Sequence, residues 1–394
     1  MIAVIADDFT GAAEIGGIGL HHGLKVIIET QVREIPDIDL LVIATDTRSF
    51  TKEKASDEIR KLTREINRLN PKYIFKKIDS VLRGNIIDEL VAQMLESEKT
   101  KAVVIAGNPQ FNRIIKNGIY YVNGTPLGET FFSTDPQYPI QSSNILKILS
   151  NGHCGLDVIS ATVDQKLPPE GLIFGDVVSK EDMTEWAKRL DKDSVVAGGA
   201  GFFDSILNQD YPVIKSKSEV RYELGDKTLF VFGSTYPKSD KLIKQINQLG
   251  MCIVNMPEKI YFNTNYDTDL LERWADDIVT RIEKHQKVVV TINHQNSSEK
   301  DISARVRETI GTLIRKVVDK IDFDDLLIEG GDTTSVILKH LQVNTLSPFQ
   351  ELGHGVIQMK TDQYPGMRIT TKPGSYNWPE NIWISDVAQP RKID

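Results

Sequence analysis

The 394 residues carry 47 Lys and Arg against 55 Asp and Glu, a net charge of −8, with 40% hydrophobic and 26% charged residues. That composition excludes a mostly disordered chain, and at about 100–200 residues per domain the length predicts two domains or three. The acidic balance argues against nucleic acid and anionic membranes as partners, since both require a positive field, yet a few focused cations could still hold a small anion.

The N-terminal stretch MIAVIADDFTG has too few apolar residues ahead of Asp7-Asp8, and no basic region, to serve as a secretory signal. No run approaches the ~18 apolar residues of a membrane span. The two cysteines, Cys154 and Cys252, provide neither a disulfide framework nor a Cys-based metal site, so a cytoplasmic location is expected.

In chain order, Ile2 to Ala6, Leu40 to Ala44, Tyr73 to Phe75 and Ala102 to Ala106 read as buried strands. Between the second and third, Ala55, Ile59, Leu62, Ile66 and Leu69 form one apolar stripe of a helix whose Lys, Glu and Arg face is solvated. This alternation predicts βαβ units and a mostly parallel sheet. Asn123-Gly124 between Tyr120-Tyr121-Val122 and Thr125-Pro126-Leu127 predicts a two-residue hairpin, an antiparallel excursion from that sheet. The polar stretch Gln209 to Asp226 marks a boundary between domains at residues 1–215 and 225–394. Beyond it, strands are expected at Thr228 to Phe232, Cys252 to Asn255, Val288 to Ile292 and Leu326 to Ile328. Helical stripes lie between them: Leu242, Ile243, Ile246 and Leu249, stopping at Gly250, and a longer one from Ile302 to Ile321. The expected fold class is therefore two α/β domains with mostly parallel sheets and a ligand cleft between them.

In open α/β sheets ligands bind beyond the carboxyl ends of the strands. After the first strand come Asp7-Asp8-Phe9-Thr10-Gly11; a helix N-cap accounts for one carboxylate but not two. Asp8 is thus a candidate to accept a hydrogen bond from a substrate hydroxyl or to remove its proton. After the second strand come Thr45-Asp46-Thr47-Arg48, and after the third Lys76-Lys77-Ile78-Asp79-Ser80-Val81-Leu82-Arg83-Gly84-Asn85. Singly, Arg48, Lys77 and Arg83 read as surface ion pairs; together they could clamp a small, hydroxylated anion, provided that the strands are neighbours.

The second half offers glycine turns instead: Phe232-Gly233-Ser234-Thr235, Glu329-Gly330-Gly331-Asp332-Thr333-Thr334 and Lys372-Pro373-Gly374-Ser375-Tyr376. Each is ordinary turn chemistry alone, but three in one half favour backbone N–H groups cradling a nucleotide phosphate. Neither G-x-x-x-x-G-K-[ST] nor G-x-G-x-x-G is present, which disfavours a Walker-type site and a dinucleotide-dependent dehydrogenase. The seven His residues show no H-x-x-x-H or H-E-x-x-H spacing, and His21-His22 before Gly23 is expected to end the first helix.

Taken together, Ile5 to Ala13, Lys77 to Asn85, Asn117 to Thr130, Asp135-Pro136, Gly330 to Thr333 and Lys372 to Ser375 resemble, in order, the motifs of the four-carbon acid sugar kinases. The resemblance implies a two-domain ATP-dependent kinase whose N-terminal domain holds threonate, erythronate or 3-oxo-tetronate and whose C-terminal domain binds ATP. The terminal hydroxyl would be phosphorylated, with Mg2+ accompanying the nucleotide. The family's acid-binding residues carry over to Asp8, Arg48 and the segment Lys77, Asp79, Ser80, Arg83 and Gly84. Its nucleotide-binding residues carry over to Ser234, Gly330, Gly331, Asp332, Thr333 and Gly374. Asp8, then Asp79, are the candidates to orient or deprotonate the hydroxyl, and Arg48 and Arg83 to meet the carboxylate and the developing charge. The chain departs from the family at Asn112, where Pro-x-x-Gly-Arg is usual, and at Pro373 in the last motif. A non-catalytic sugar-acid-binding or regulatory protein of the same fold is the alternative; metal ligands are unassigned and a homodimer is left open.

Overall fold

The computed structural model describes residues 1–135, 138–150, 155–214, 223–233, 237–262, 268–292, 300–374, 376–379 and 382. The chain divides into two compact units, Met1–Lys215 and Ser216–Asp394.

In the first unit, short Val- and Ile-rich runs form strands with helices between them. In order these are β1 (Ile2–Ala6), α1 (Phe9–His21), β2 (Val26–Glu29), β3 (Leu40–Ala44), α2 (Lys52–Asn67), β4 (Ile74–Lys77), α3 (Ile86–Glu96) and β5 (Lys101–Ile105). Then come β6 (Arg113–Lys116), β7 (Ile119–Val122), β8 (Thr125–Pro126), α4 (Ile145–Leu149), β9 (Val158–Ala161), β10 (Gly171–Gly175), α5 (Lys180–Lys188), β11 (Ser194–Gly198) and α6 (Ala200–Asp210). The main sheet of this unit runs β2-β3-β1-β4-β11-β5-β10-β9, and every pairing is parallel. All five residues of β1 and of β3 are buried, as expected of strands covered on both faces. Phe75 of β4 packs on Phe203 of α6, ring centroids 5.0 Å apart; full burial of such a ring contributes about 1.5–3 kcal/mol.

Strand order decides where a ligand could bind. From β1 the chain leaves through α1 towards β2 and β3, then returns through α2 to β4 on the other side of β1. Ala6 pairs with Ala44 of β3 on one flank and with Lys77 of β4 on the other. The loops after β3, β1 and β4 therefore open side by side at a topological switch point, where open α/β sheets bind ligands. The sequence reading does not foresee β11, which inserts between β4 and β5, Ala197 pairing with Lys76 and with Val104. The excursion is a separate 3-stranded sheet, β6-β7-β8. Both of its turns, Asn117-Gly118 and Asn123-Gly124, have positive φ at both residues, as a two-residue primed turn requires.

The second unit contains β12 (Thr228–Phe232), α7 (Pro237–Gln248), β13 (Cys252–Asn255), α8 (Glu258–Phe262), α9 (Thr268–His285), β14 (Lys287–Thr291) and α10 (Lys300–Val318). It continues with β15 (Asp325–Glu329), α11 (Gly331–Leu341), β16 (Thr345–Gly353), β17 (Val356–Lys360) and β18 (Arg368–Lys372). Its strands run β13-β14-β12-β15-β18-β17-β16; the first five are parallel, and β17 and β16 are added antiparallel. Here β12 is the switch strand, with β14 on one side and β15 on the other. Among the described residues no helix is long and apolar enough to cross a membrane.

Candidate active site

The residues at the ends of β1, β3 and β4 form one buried charged array. Asp8 is the N-cap of α1: its Oδ1 accepts from the Gly11 N–H at 2.8 Å and its Oδ2 from the Thr10 hydroxyl at 2.9 Å. Glycine at position 11 leaves room for both groups: a Cβ there would lie 2.7 Å from Asp8 Oδ1 and 3.1 Å from Lys77 Nζ and would push them aside. The loop after β3 delivers Arg48, which donates from Nε to Asp7 Oδ2 at 2.8 Å and from Nη1 to Asp8 Oδ2 at 2.9 Å. Asp79 Oδ1 lies 3.7 Å from the same guanidinium. Burial opposes the Arg48 charge, but the carboxylates of Asp7, Asp8 and Asp79 outweigh it and keep the group firmly protonated.

The loop after β4 is organised around Asp79. It accepts a two-pronged pair from Arg83 Nε and Nη2, both at 2.9 Å, and backbone N–H groups of Arg83 at 3.1 Å and Val81 at 3.3 Å. Burial alone would raise its pKa; Arg83 and Arg48 overcome that and hold it far below the usual carboxylate range. Arg83 also donates from Nη1 to Asp135 Oδ2 at 2.9 Å and lies over the Phe132 ring. Ser80 accepts from Arg113 Nη1 on its hydroxyl and from the buried Tyr120 hydroxyl, at 2.6 Å, on its carbonyl. Lys77 is buried, donates to the Ile78 carbonyl at 3.0 Å and stands 3.9 Å from Glu14. Behind the array a second buried pair, Lys76 and Glu89, closes at 2.7 Å.

Gly84 has φ of 92°, and a Cβ there would lie 2.8 Å from Arg48 Cγ. Gly84→Ala is therefore expected to cost about 1–2 kcal/mol of backbone strain and to push Arg48 off its carboxylates. Thermal unfolding should fall by roughly 2–8 °C; an unchanged midpoint would mean that the loop absorbs a side chain there freely.

Asp8, Arg48, Lys77, Asp79, Ser80, Arg83 and Gly84, singled out from three separate stretches of sequence, thus stand on adjacent strand ends. The sequence reading assigns no role to Asp7, Asp135, Tyr138 or Arg113. Asp7 and Asp135 pair with the two arginines, and Tyr138 donates to the Arg48 carbonyl at 2.7 Å. Asn85 pins the β3–α2 loop by donating to the Thr47 and Phe50 carbonyls, each at 2.9 Å. Asn112 occupies the left-handed region at φ 50° and ψ 34°. Glycine adopts that conformation freely and asparagine more readily than most residues, so Asn112 preserves the turn that delivers Arg113.

In the second unit, Gly330 (φ 99°) precedes α11 and offers no side-chain cap to its first turn. Uncapped N–H groups at the positive end of a helix dipole suit a phosphate. Gly233, after β12, lets Thr333 approach: a Cβ there would sit 2.0 Å from Thr333 Oγ1. Asp332 pairs with Arg307 at 3.2 Å. Gly374 follows β18 in a turn fastened by buried Lys372, which is 3.1 Å from Glu329 Oε2 and donates to the Pro373 and Tyr376 carbonyls. Ser234 lies outside the described residues, as do Pro136, His153, Cys154 and Ser375. Among the described residues no group of three or more His, Cys, Asp or Glu side chains is placed to hold a metal ion.

Comparison with known proteins follows this division. A sugar-binding N-terminal domain family matches residues 2–206, and a nucleotide-binding C-terminal domain family matches residues 229–376. The chain belongs to the four-carbon acid sugar kinase family. Within the family it is similar to a D-erythronate kinase of Heliobacterium modesticaldum, at 25% identity covering 86% of this chain and 85% of that protein. A D-threonate kinase of Salmonella typhimurium is 24% identical, covering 85% of each chain. A 3-oxo-tetronate kinase of Brucella melitensis is 24% identical, covering 95% of this chain and 92% of that one. The fold is shared with a crystal structure from Haemophilus influenzae, with a TM-score of 0.70 at 17% identity over 97% of this chain and 98% of that one. A crystal structure from Salmonella typhimurium has a TM-score of 0.78 at 16% identity, with the same coverage of both chains.

Proposed function

We propose that this protein is an ATP-dependent kinase that phosphorylates the terminal hydroxyl of a four-carbon sugar acid of the threonate, erythronate or 3-oxo-tetronate type. The observation that carries the reading is the buried Asp7–Arg48–Asp8–Asp79–Arg83 array at the switch point of the unit matched by the sugar-binding family. Phosphoryl transfer needs positioning and charge neutralisation more than covalent chemistry from the protein, and a rigid lattice of charge-assisted hydrogen bonds supplies positioning.

The two candidate carboxylates differ in what they have left to offer. A carboxylate accepts about four hydrogen bonds. Asp79 receives its four from Arg83 and Val81, and the same cations make it a very weak base, so its role is to position Arg83. Asp8 accepts from Gly11, Thr10 and Arg48, which leaves room for a substrate hydroxyl. Asp8 is the group assigned to orient that hydroxyl and to take its proton as the oxygen is phosphorylated. Arg48, Lys77, Ser80, Arg83 and Gly84 complete the wall of the acid site.

Residues 225–394 would hold ATP, with Gly330 to Thr333 at the N-terminus of α11 and Gly374 beside them on the phosphates, and Ser234 from the turn after β12. Mg2+ bound with the nucleotide would supply charge neutralisation; no protein ligand set is assigned to it. The reading places the protein in the cytoplasm.

The test is an ADP-release screen of the purified protein with ATP, Mg2+ and a panel of four-carbon sugar acids. At least one acid should release ADP well above the rate without acid. A protein that binds an acid yet releases no ADP with any of them would instead be the non-catalytic binding protein.

A further inference from the structure

The array that organises the site is rich in carboxylates: two guanidiniums, Arg48 and Arg83, face Asp7, Asp8, Asp79 and Asp135. Lys77 stands near Glu14, and Lys76 is paired with Glu89. A sugar acid brought against Arg48 or Arg83 would compete with carboxylates already seated there, in a buried setting where excess negative charge is costly. A further cation is needed if an anion is to be bound.

Arg113 is that cation. It begins β6, stands on the turn shaped by Asn112, and makes a side-chain hydrogen bond to the Ser80 hydroxyl on the loop after β4. Among the described residues it has no carboxylate within ion-pair distance, in contrast to Arg48 and Arg83. Its position is fixed from both sides: the Asn108 and Arg113 backbones exchange hydrogen bonds at 2.6 and 3.1 Å, and the Tyr120 hydroxyl holds the Ser80 carbonyl.

Resting on the kinase reading, we propose that the carboxylate of the sugar acid docks on Arg113 together with the Ser80 hydroxyl, making Arg113 the residue that selects acids over neutral polyols. Arg48 and Arg83, already neutralised, then serve the hydroxyl end of the substrate. The guanidinium fork suits this task, because donors not used on Ser80 remain for a two-pronged contact with a carboxylate.

The test compares the preferred four-carbon acid with the tetritol of the same configuration, in which an uncharged CH2OH group replaces the carboxylate. Arg113→Gln is expected to raise the KM for the acid by about 10–150-fold, the range for hydrogen bonds to charged groups. The KM for ATP and kcat/KM for the tetritol should stay within about twofold, so the preference for acid over tetritol collapses. Arg113→Lys, which keeps the charge and loses the fork, should show a smaller rise, and it carries the test if the Gln variant melts early. Acid KM within threefold of wild type in both variants, or equal losses on acid and tetritol, would overturn the assignment and leave the kinase reading intact. A wild-type protein that turns over no four-carbon acid would remove the kinase reading and this inference with it.

Discussion

Asp8→Asn is expected to lower kcat by about 10^2–10^4-fold, the range for a general base, while shifting the melting temperature by less than about 5 °C. The substitution isolates chemistry from structure. Asparagine caps helices about as well as aspartate, so the bond from the Gly11 N–H that starts α1 survives. The amide NH2 in place of Oδ2 would face Arg48 Nη1 and the Thr10 hydroxyl. That local loss is limited, because Arg48 keeps its 2.8 Å contact with Asp7, the Thr10 hydroxyl can turn to accept, and losing one negative charge relieves an array in which carboxylates outnumber guanidiniums. What the amide cannot do is take a proton from the hydroxyl. Asp8→Ala, by contrast, removes cap and base together and should also lose about 1 kcal/mol of stability. Steady-state kinetics with calorimetric melting separates the two; an Asn variant that retains more than about a third of wild-type kcat would exclude Asp8 as the base.

Asp79→Asn should have the opposite profile, with its largest effect on stability. An amide offers one acceptor where the carboxylate has two, and its NH2 would face the N–H groups of Arg83. Arg83 would lose its two-pronged partner and keep only Asp135; breaking a buried pair costs about 3–5 kcal/mol, or roughly 6–20 °C for a unit of this size. The pH dependence gives a second readout. The folded pKa of Asp79 is depressed by Arg83 and Arg48, so its contribution is fully present above the unfolded value of about 3.9. It is lost as pH falls below that value towards the folded pKa. Wild-type melting temperature should therefore drop steeply below about pH 4, and the Asn variant should show a shallower acid branch. Parallel acid branches would mean that Asp79 contributes no such linkage.

The local signals of the fold were legible in the sequence; its adjacencies were not. Val- and Ile-rich runs located β1 and β3 to the residue, and the stripe from Ala55 to Ile66 located the buried face of α2. The site residues were recognisable as polar punctuation after apolar runs. That the loops after β3, β1 and β4 meet depends on crossovers that place β3 and β4 on opposite flanks of β1, and no periodicity encodes strand order. Strand β11 carries a weak sequence signal because Ser-Val-Val-Ala-Gly is short and ends in glycine, yet it is paired on both sides. In the second unit β16 contains Pro348 and register shifts at Pro348/Gln350 and Glu351/Gly353, so its alternation is broken and it carries no clear strand signature. Asn117-Gly118 was a readable turn signal, equal in kind to Asn123-Gly124, and it would have placed Arg113 on a hairpin. That Arg113 faces Ser80 across 33 positions is a tertiary fact.

The most direct test of the central claim is phosphorus NMR of the product formed from ATP, Mg2+ and the acid that releases ADP. Phosphorylation of the terminal hydroxyl predicts a new phosphomonoester resonance split into a triplet by the two protons of a terminal CH2 group, growing in step with ADP. ADP accompanied only by inorganic phosphate, or an ester split by a single proton, would contradict it.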